Sequence, residues 1–221
     1  MKKVVIGVST RGADIFHKTI LWLTQQYARQ DISVSIVFSE CSLSVIRAHE
    51  QLLDCMDDLH ADYCMFVDAD VCPTFDTLDK LMAPDKDIVT SPAWHYDRYT
   101  DDIHLNVHYD SIDPEVGRIY RPKDGGLERI YSTSLAATMF KMSVFDRFRN
   151  AGESTYKWSP LIDESFKENQ PDCILFAKAK KLGIETWVNW DIKGLQHFQR
   201  TMLSTYTIER LFAKTGRKIY T

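Results

Sequence analysis

At 221 residues, with 44% hydrophobic and 26% charged side chains, the chain has the composition of an ordinary globular protein able to bury one good core. Its formal net charge of -4 removes any electrostatic basis for tight, sequence-independent nucleic-acid binding, while leaving nucleic acid open as a substrate. No apolar run reaches the roughly 20 residues that span a bilayer. The opening Met1-Lys2-Lys3-Val4-Val5-Ile6-Gly7 turns polar too soon for a signal peptide, so the expectation is a cytoplasmic protein, in a bacterium or in the host of a virus. Five cysteines without a Cys-x-x-Cys pair indicate neither a disulfide framework nor a thiolate zinc site. Cys64 and Cys173 lie in apolar segments and read as small core residues.

Taken in order, Lys3 to Val8 is a short apolar strand followed by a small, polar βα loop, Ser9-Thr10-Arg11-Gly12. Helical spacing of Ile15, Ile20, Leu21, Leu23 and Tyr27 predicts a helix over 14–30 with those residues on its apolar face. A strand over 33–38 and a helix over 42–59 follow, the latter with Leu43, Ile46, Leu52, Leu53 and Met56 on one side. The next strand is Tyr63-Cys64-Met65-Phe66-Val67, which delivers Asp68-Ala69-Asp70 before Pro73 stops its pairing. A short helix over 75–82 and a strand over 87–92 complete an alternation that predicts a largely parallel sheet with right-handed crossovers.

From Ala93 to Gly126 the chain is rich in Tyr, His, Asp and Pro and lacks helical periodicity. Strands are expected over 128–131 and 135–140, a short helix over 143–149, a loop over 152–171, a helix from Pro171 to Lys181 closed by Gly183, and a strand over 184–190. The tail reads as an amphipathic helix over 202–212 with a basic end.

The chemistry-bearing feature is Asp68-Ala69-Asp70. Two carboxylates at a strand's carboxyl end stand where open α/β sheets bind ligands, and they suit a hard divalent cation carrying a phosphorylated substrate. A haloacid-dehalogenase-type phosphatase also places Asp-x-Asp after a strand, but there the motif ends the first strand, and here it ends the third. The competing bland reading is a pair of solvated loop carboxylates.

The string Ser44-Val45-Ile46-Arg47-Ala48-His49-Glu50-Gln51-Leu52-Leu53, followed by Ala61-Asp62-Tyr63-Cys64-Met65-Phe66-Val67-Asp68-Ala69-Asp70, resembles the donor-binding block of GT-A-type glycosyltransferases, with His49 where Asn is frequent. Downstream, Pro171-Asp172 and the helix ending at Gly183 resemble the acidic helix of the inverting members, with Pro in place of the first acid. Trp187 to His197 resembles the strand and loop that end in a metal-binding His. The resemblance implies a single α/β GT-A (Rossmann-like) domain with a mostly parallel central sheet flanked by helices and a small antiparallel piece. Residues 1–92 would be its nucleotide-sugar-binding half, 93–200 its acceptor and catalytic half, and 201–221 a C-terminal helix.

The same resemblance implies a metal-dependent transferase that moves a sugar from a nucleotide-diphosphate-sugar to a hydroxyl acceptor, with inversion. It assigns Ser9, Thr10, Arg11, Arg47, Asp68, Ala69 and Asp70 to the nucleotide-sugar, and Asp68, Asp70 and His197 to Mn2+ or Mg2+. Asp172 becomes the general base, and its position at a helix N-terminus favours the charged form. Asp163 and Glu164 are reserve candidates, and Ser134, Leu135 and Ala136 stand where a Gly-x-Gly is common beside the acceptor. The aromatic and His-rich piece from Trp94 to Tyr109 is a further candidate for an acceptor wall. A surface polysaccharide or other glycan is the first acceptor expectation and hydroxymethylated DNA the second. Two alternatives stay open: a nucleotidyltransferase of the same fold, and a non-catalytic module that kept the nucleotide pocket.

Overall fold

A computed structural model describes residues 1–10, 15–39, 44–97, 102–109, 118–119, 123–155, 171–193, 195–199 and 201–203. Its centre is a seven-stranded sheet ordered β2 (Ser33–Phe38), β1 (Lys3–Ser9), β3 (Tyr63–Asp68), β11 (Ala137–Lys141), β5 (Ile88–Thr90), β12 (Thr186–Asn189) and β9 (Leu127–Ile130). β2, β1, β3, β5 and β12 run one way, and β11 and β9 run against them. The sheet is therefore mostly parallel, and the two opposed strands lie in its second half.

β1 and β3 are covered on both faces, and the strand period of two divides their side chains between two layers. Val4, Ile6, Met65 and Val67 pack with Trp22 and Leu23 of α1 (His17–Tyr27) and with Leu78 and Leu81 of α3 (Thr77–Met82). Val5, Cys64 and Phe66 face Leu52 and Met56 of α2 (Val45–Asp58), together with Phe145 and Phe148 of α4 (Met142–Asn150) and Phe176 of α5 (Pro171–Lys181). Gly7 lies under the Leu52 and Met56 side chains of α2, and a Cβ there would meet the Met56 methyl, which would have to shift. Cys64 and Cys173 are buried thiols, and the described cysteines Cys55, Cys64, Cys72 and Cys173 are all free. No helix among the described residues is long and apolar enough to cross a membrane.

Three sequence expectations are corrected. The strand bearing the acidic pair closes at Asp68; Ala69 and Asp70 form a turn, and Val71–Cys72 is a separate short strand, β4. Pro73 therefore ends β4 rather than β3. In α1, Ile20, Leu21 and Tyr27 are 50%, 59% and 67% exposed, while Thr19 and Gln26 are fully buried beside Trp22 and Leu23. Of the five apolar residues expected on one face, Leu23 is buried and Ile15 packs against the core, while Ile20, Leu21 and Tyr27 point outward. At the chain's end, Thr201–Leu203 is strand β14, where the tail helix was expected to begin; the rest of that tail, with Lys214, Arg217 and Lys218, lies outside the described residues.

The non-periodic stretch after Ala93 folds as an antiparallel sheet of β6 (Trp94–Asp97), β7 (Asp102–His108), β8 (Arg118–Ile119) and β10 (Ser132–Thr133). Its signal is a period of two in Ile103-His104-Leu105-Asn106-Val107-His108. Ile103, Leu105 and Val107 join Trp94, Val188 and Trp190 in a third apolar cluster, leaving His104 and Asn106 for the other face. A three-stranded sheet of β14, β13 (Gln196–Gln199) and β4 completes the fold.

Candidate functional site

Parallel strands β1 and β3 end side by side, with Ser9 opposite Asp68 in register, and a cleft of about 330 Å3 opens beyond them. Six expected site residues line it: Ser9, Asp68, Ala69, Asp70, Asp172 and His197. Position at the carboxyl edge of a mostly parallel sheet is the ordinary place for a ligand in this architecture.

β4 pairs antiparallel with β13, setting His197 opposite Val71, so a residue more than a hundred positions away in sequence arrives beside the acidic turn. The His197 ring is 8% exposed, and its Nδ1–H donates to the Trp94 carbonyl at 2.7 Å. That bond directs Nε2 at the Asp70 carboxylate, 3.6 Å away. Burial works against charging the ring, but the nearby Asp70 carboxylate, the Trp94 carbonyl and the more distant Asp68 outweigh it, so its pKa lies above the ordinary 6.5. Carboxylate and imidazole are suitable donors for Mn2+ or Mg2+. Among the described residues no three His, Cys, Asp or Glu side chains converge as a ligand set. Asp70 and His197 come together as a pair. Asp68 ends its strand before the turn, so no regular period holds it on the same side as Asp70.

On the opposite wall, Asp172 sits in the first turn of α5 and accepts the Leu135 backbone N–H at 3.3 Å. Leu135 belongs to the 134–136 segment, which is tied inward as well. Asn106 accepts the Ala93 N–H at 2.7 Å and donates to the Ser134 hydroxyl, and Asp68 N–H donates to the Ala136 carbonyl at 3.2 Å. These bonds connect the two walls through the cleft floor. The segment holds its place without glycines, through side-chain and backbone bonds.

The remaining expected residues stand elsewhere. Thr10 is buried, donating its N–H to the Ser39 hydroxyl at 3.0 Å and its own hydroxyl to the Ser39 carbonyl at 2.6 Å, which closes the ends of β1 and β2 together. Arg47 projects into solvent with its side chain 74% exposed, 3.4 Å from Glu50 one helical turn on, and does not line the cleft. Arg11, Asp163 and Glu164 lie outside the described residues. The cleft also gains residues that were not assigned to it individually: His49, whose ring meets Phe66 edge-on at 5.4 Å, together with Trp94, His95 and Asn106. The alternation in β7 was the available signal for Asn106.

The architecture is a mixed α/β fold with a mostly parallel seven-stranded sheet, flanking helices and smaller antiparallel sheets. Among solved structures the chain is similar to A197 from STIV, with a TM-score of 0.54 at 16% identity, covering 90% of this chain and 86% of that one. It also matches S. aureus TarS 1-349, with a TM-score of 0.43 and 12% identity over 97% of this chain and 65% of that one. TarS 1-349 in complex with UDP-GlcNAc gives a TM-score of 0.45 and 10% identity over 86% of this chain and 55% of that one. No protein-family model and no curated protein matches the chain.

Proposed function

We propose that the cleft is the active site of a glycosyltransferase that takes a nucleotide-diphosphate-sugar and transfers its sugar, with inversion, to a hydroxyl acceptor. The observation that carries this reading is the opposition of Asp70 and His197 on one wall to Asp172 on the other, across one cleft. The resemblance of the Asp68-Ala69-Asp70 and Asp172 segments to GT-A-type enzymes supports it. Ser9 and Ala69 would form the floor under the nucleotide, and Asp68 would meet the ribose.

Asp70 and His197 would hold Mn2+ or Mg2+, with diphosphate oxygens and water completing the shell, which suits ions that take one or two protein carboxylates together with substrate phosphates. When bound, the ion supplies Lewis-acid stabilisation of the departing diphosphate. The chain's own residues do the rest. Asp172 accepts the proton of the acceptor hydroxyl as its oxygen bonds to the anomeric carbon, while the bond from that carbon to the phosphate oxygen breaks and its electrons leave with the nucleoside diphosphate. The helix N-terminus and the Leu135 N–H hold the carboxylate for that role. Trp94, His95 and Asn106 form the wall facing the acceptor.

The test is slow donor hydrolysis across UDP-, GDP-, CDP- and dTDP-sugars with Mn2+, with and without EDTA. Wild-type protein should release a nucleoside diphosphate, Asp70→Ala should lose donor binding, and Asp172→Asn should bind donor while losing roughly 10²–10⁴ of the transfer rate. Release of pyrophosphate from a nucleoside triphosphate would move the assignment to nucleotidyl transfer. Donor binding without any turnover would leave a binding module.

A further inference from the structure

Helix α1 turns a polar stripe inward. Thr19 and Gln26 are fully buried, whereas Ile20, Leu21 and Tyr27 are exposed. That buried face also carries Trp22 and Leu23, so Thr19 and Gln26 are polar groups set among apolar neighbours, and each needs a hydrogen-bond partner once buried. What the buried stripe gains is a row of donors aimed at one segment. Phe16 N–H donates to the Ala69 carbonyl at 2.9 Å, Thr19 hydroxyl to Val71 at 2.8 Å, Trp22 Nε1–H to Thr74 at 3.0 Å, and the Gln26 amide to Phe75 at 3.1 Å. Every acceptor is a backbone carbonyl in the stretch that begins inside the acidic motif. This stretch includes β4, the strand that pairs with β13 and so brings His197 to Asp70.

From this we infer that α1 is a clamp on residues 69–75, and that Thr19, Trp22 and Gln26 are positioning residues that set Asp70 against His197. The inference rests on the donor-site reading above only for its consequence in ligand binding; the clamp itself is a statement about the free protein. A sequence that departs from apolar-inside patterning at one helix face is expected to do so where a site has to be held. The donors are one helical turn apart along a single face, so one rigid element fixes the segment at several points rather than at one.

Thr19→Val and Gln26→Leu remove one donor each at nearly constant side-chain size. The readout is amide hydrogen exchange of the ligand-free protein by mass spectrometry, with Tm measured alongside and Mn2+ plus UDP binding followed by calorimetry. Exchange in 69–75 and 196–199 should rise on the order of tenfold in each variant, while β1 and β2 stay at wild-type protection. Mn2+ and UDP affinity should fall by a similar factor with Tm nearly unchanged, and Thr19→Ser, which keeps the hydroxyl, should restore both. Unchanged exchange in 69–75, or a uniform rise across β1 and β2 that tracks a lower Tm, would overturn the clamp. Wild-type protein that binds none of UDP, GDP, CDP and dTDP with Mn2+ present would instead end the donor-site reading, and the exchange measurement would still decide the clamp.

Discussion

The two walls of the cleft are held by different physics. The wall at 68–75 is fixed by uncharged donors of α1 on backbone carbonyls and by the β4–β13 pairing. The α5 wall depends on a charge: Lys178, 0% exposed among Leu175, Phe176 and Ala179, sits 2.9 Å from Glu153 and donates to the Ser154 carbonyl at 2.5 Å. A buried ion pair contributes little net stability while intact and costs a great deal when one partner is removed. Neutral bonds to carbonyls are lost one at a time, each for a modest cost. Single losses on the acidic wall therefore loosen it locally at little cost in global stability, whereas a single loss from the α5 pair costs the fold about 3–5 kcal/mol.

That contrast breaks first at Lys178. Lys178→Ala should cost about 3–5 kcal/mol in urea denaturation, because it removes the ammonium that neutralises the Glu153 carboxylate. Lys178→Met combined with Glu153→Gln should recover most of the loss, and a double variant as unstable as the single would show that the pair's charges are not the cause. Asn106→Leu comes next. It leaves the Ala93 N–H and the Ser134 hydroxyl without their bonds and should cost about 1–3 kcal/mol, with increased exchange at 134–136. On the other wall, Gln26→Leu removes one neutral bond and adds buried hydrocarbon, so its global cost should stay at about 1 kcal/mol or less.

The smallest expected effect is one of pH. Glu128 is partly buried, which opposes its charge, yet it accepts bonds from Lys123, Tyr109 and Trp190 that hold its pKa below the ordinary 4.5. Its stabilising contribution is complete above the ordinary value and is lost as pH falls through the folded one. Acid should therefore loosen the β9–β12 edge below about pH 4.5, with Glu128→Gln flattening that limb. The four bonds from α1 to 69–75 involve no titratable group and should keep their protection over the same range.

Where local pattern and burial agree, the chain could be read directly. The apolar runs of β1 and β3 and the Pro171–Lys181 helix closed by Gly183, at φ +67, follow from periodicity and glycine's access to left-handed backbone. Asp68, Asp70 and Asp172 were also visible, because acids at a strand end and at a helix start stand out locally. Arg47, assigned to the nucleotide-sugar by resemblance, stands in solvent outside the cleft, since position on a helix does not say which side of that helix meets a ligand.

The amino-acid sequence by itself determined the strand and helix order of the first half and the carboxylates at its edge, because each depends on neighbours within a few residues. Only the tertiary structure decided that Thr19 and Gln26 of α1 would be buried beside Trp22 and Leu23, where a distant segment supplies their hydrogen-bond partners. It also decided that β4 would pair with β13 and carry His197 to Asp70. That arrangement depends on packing between residues far apart in the chain, which no local spacing records.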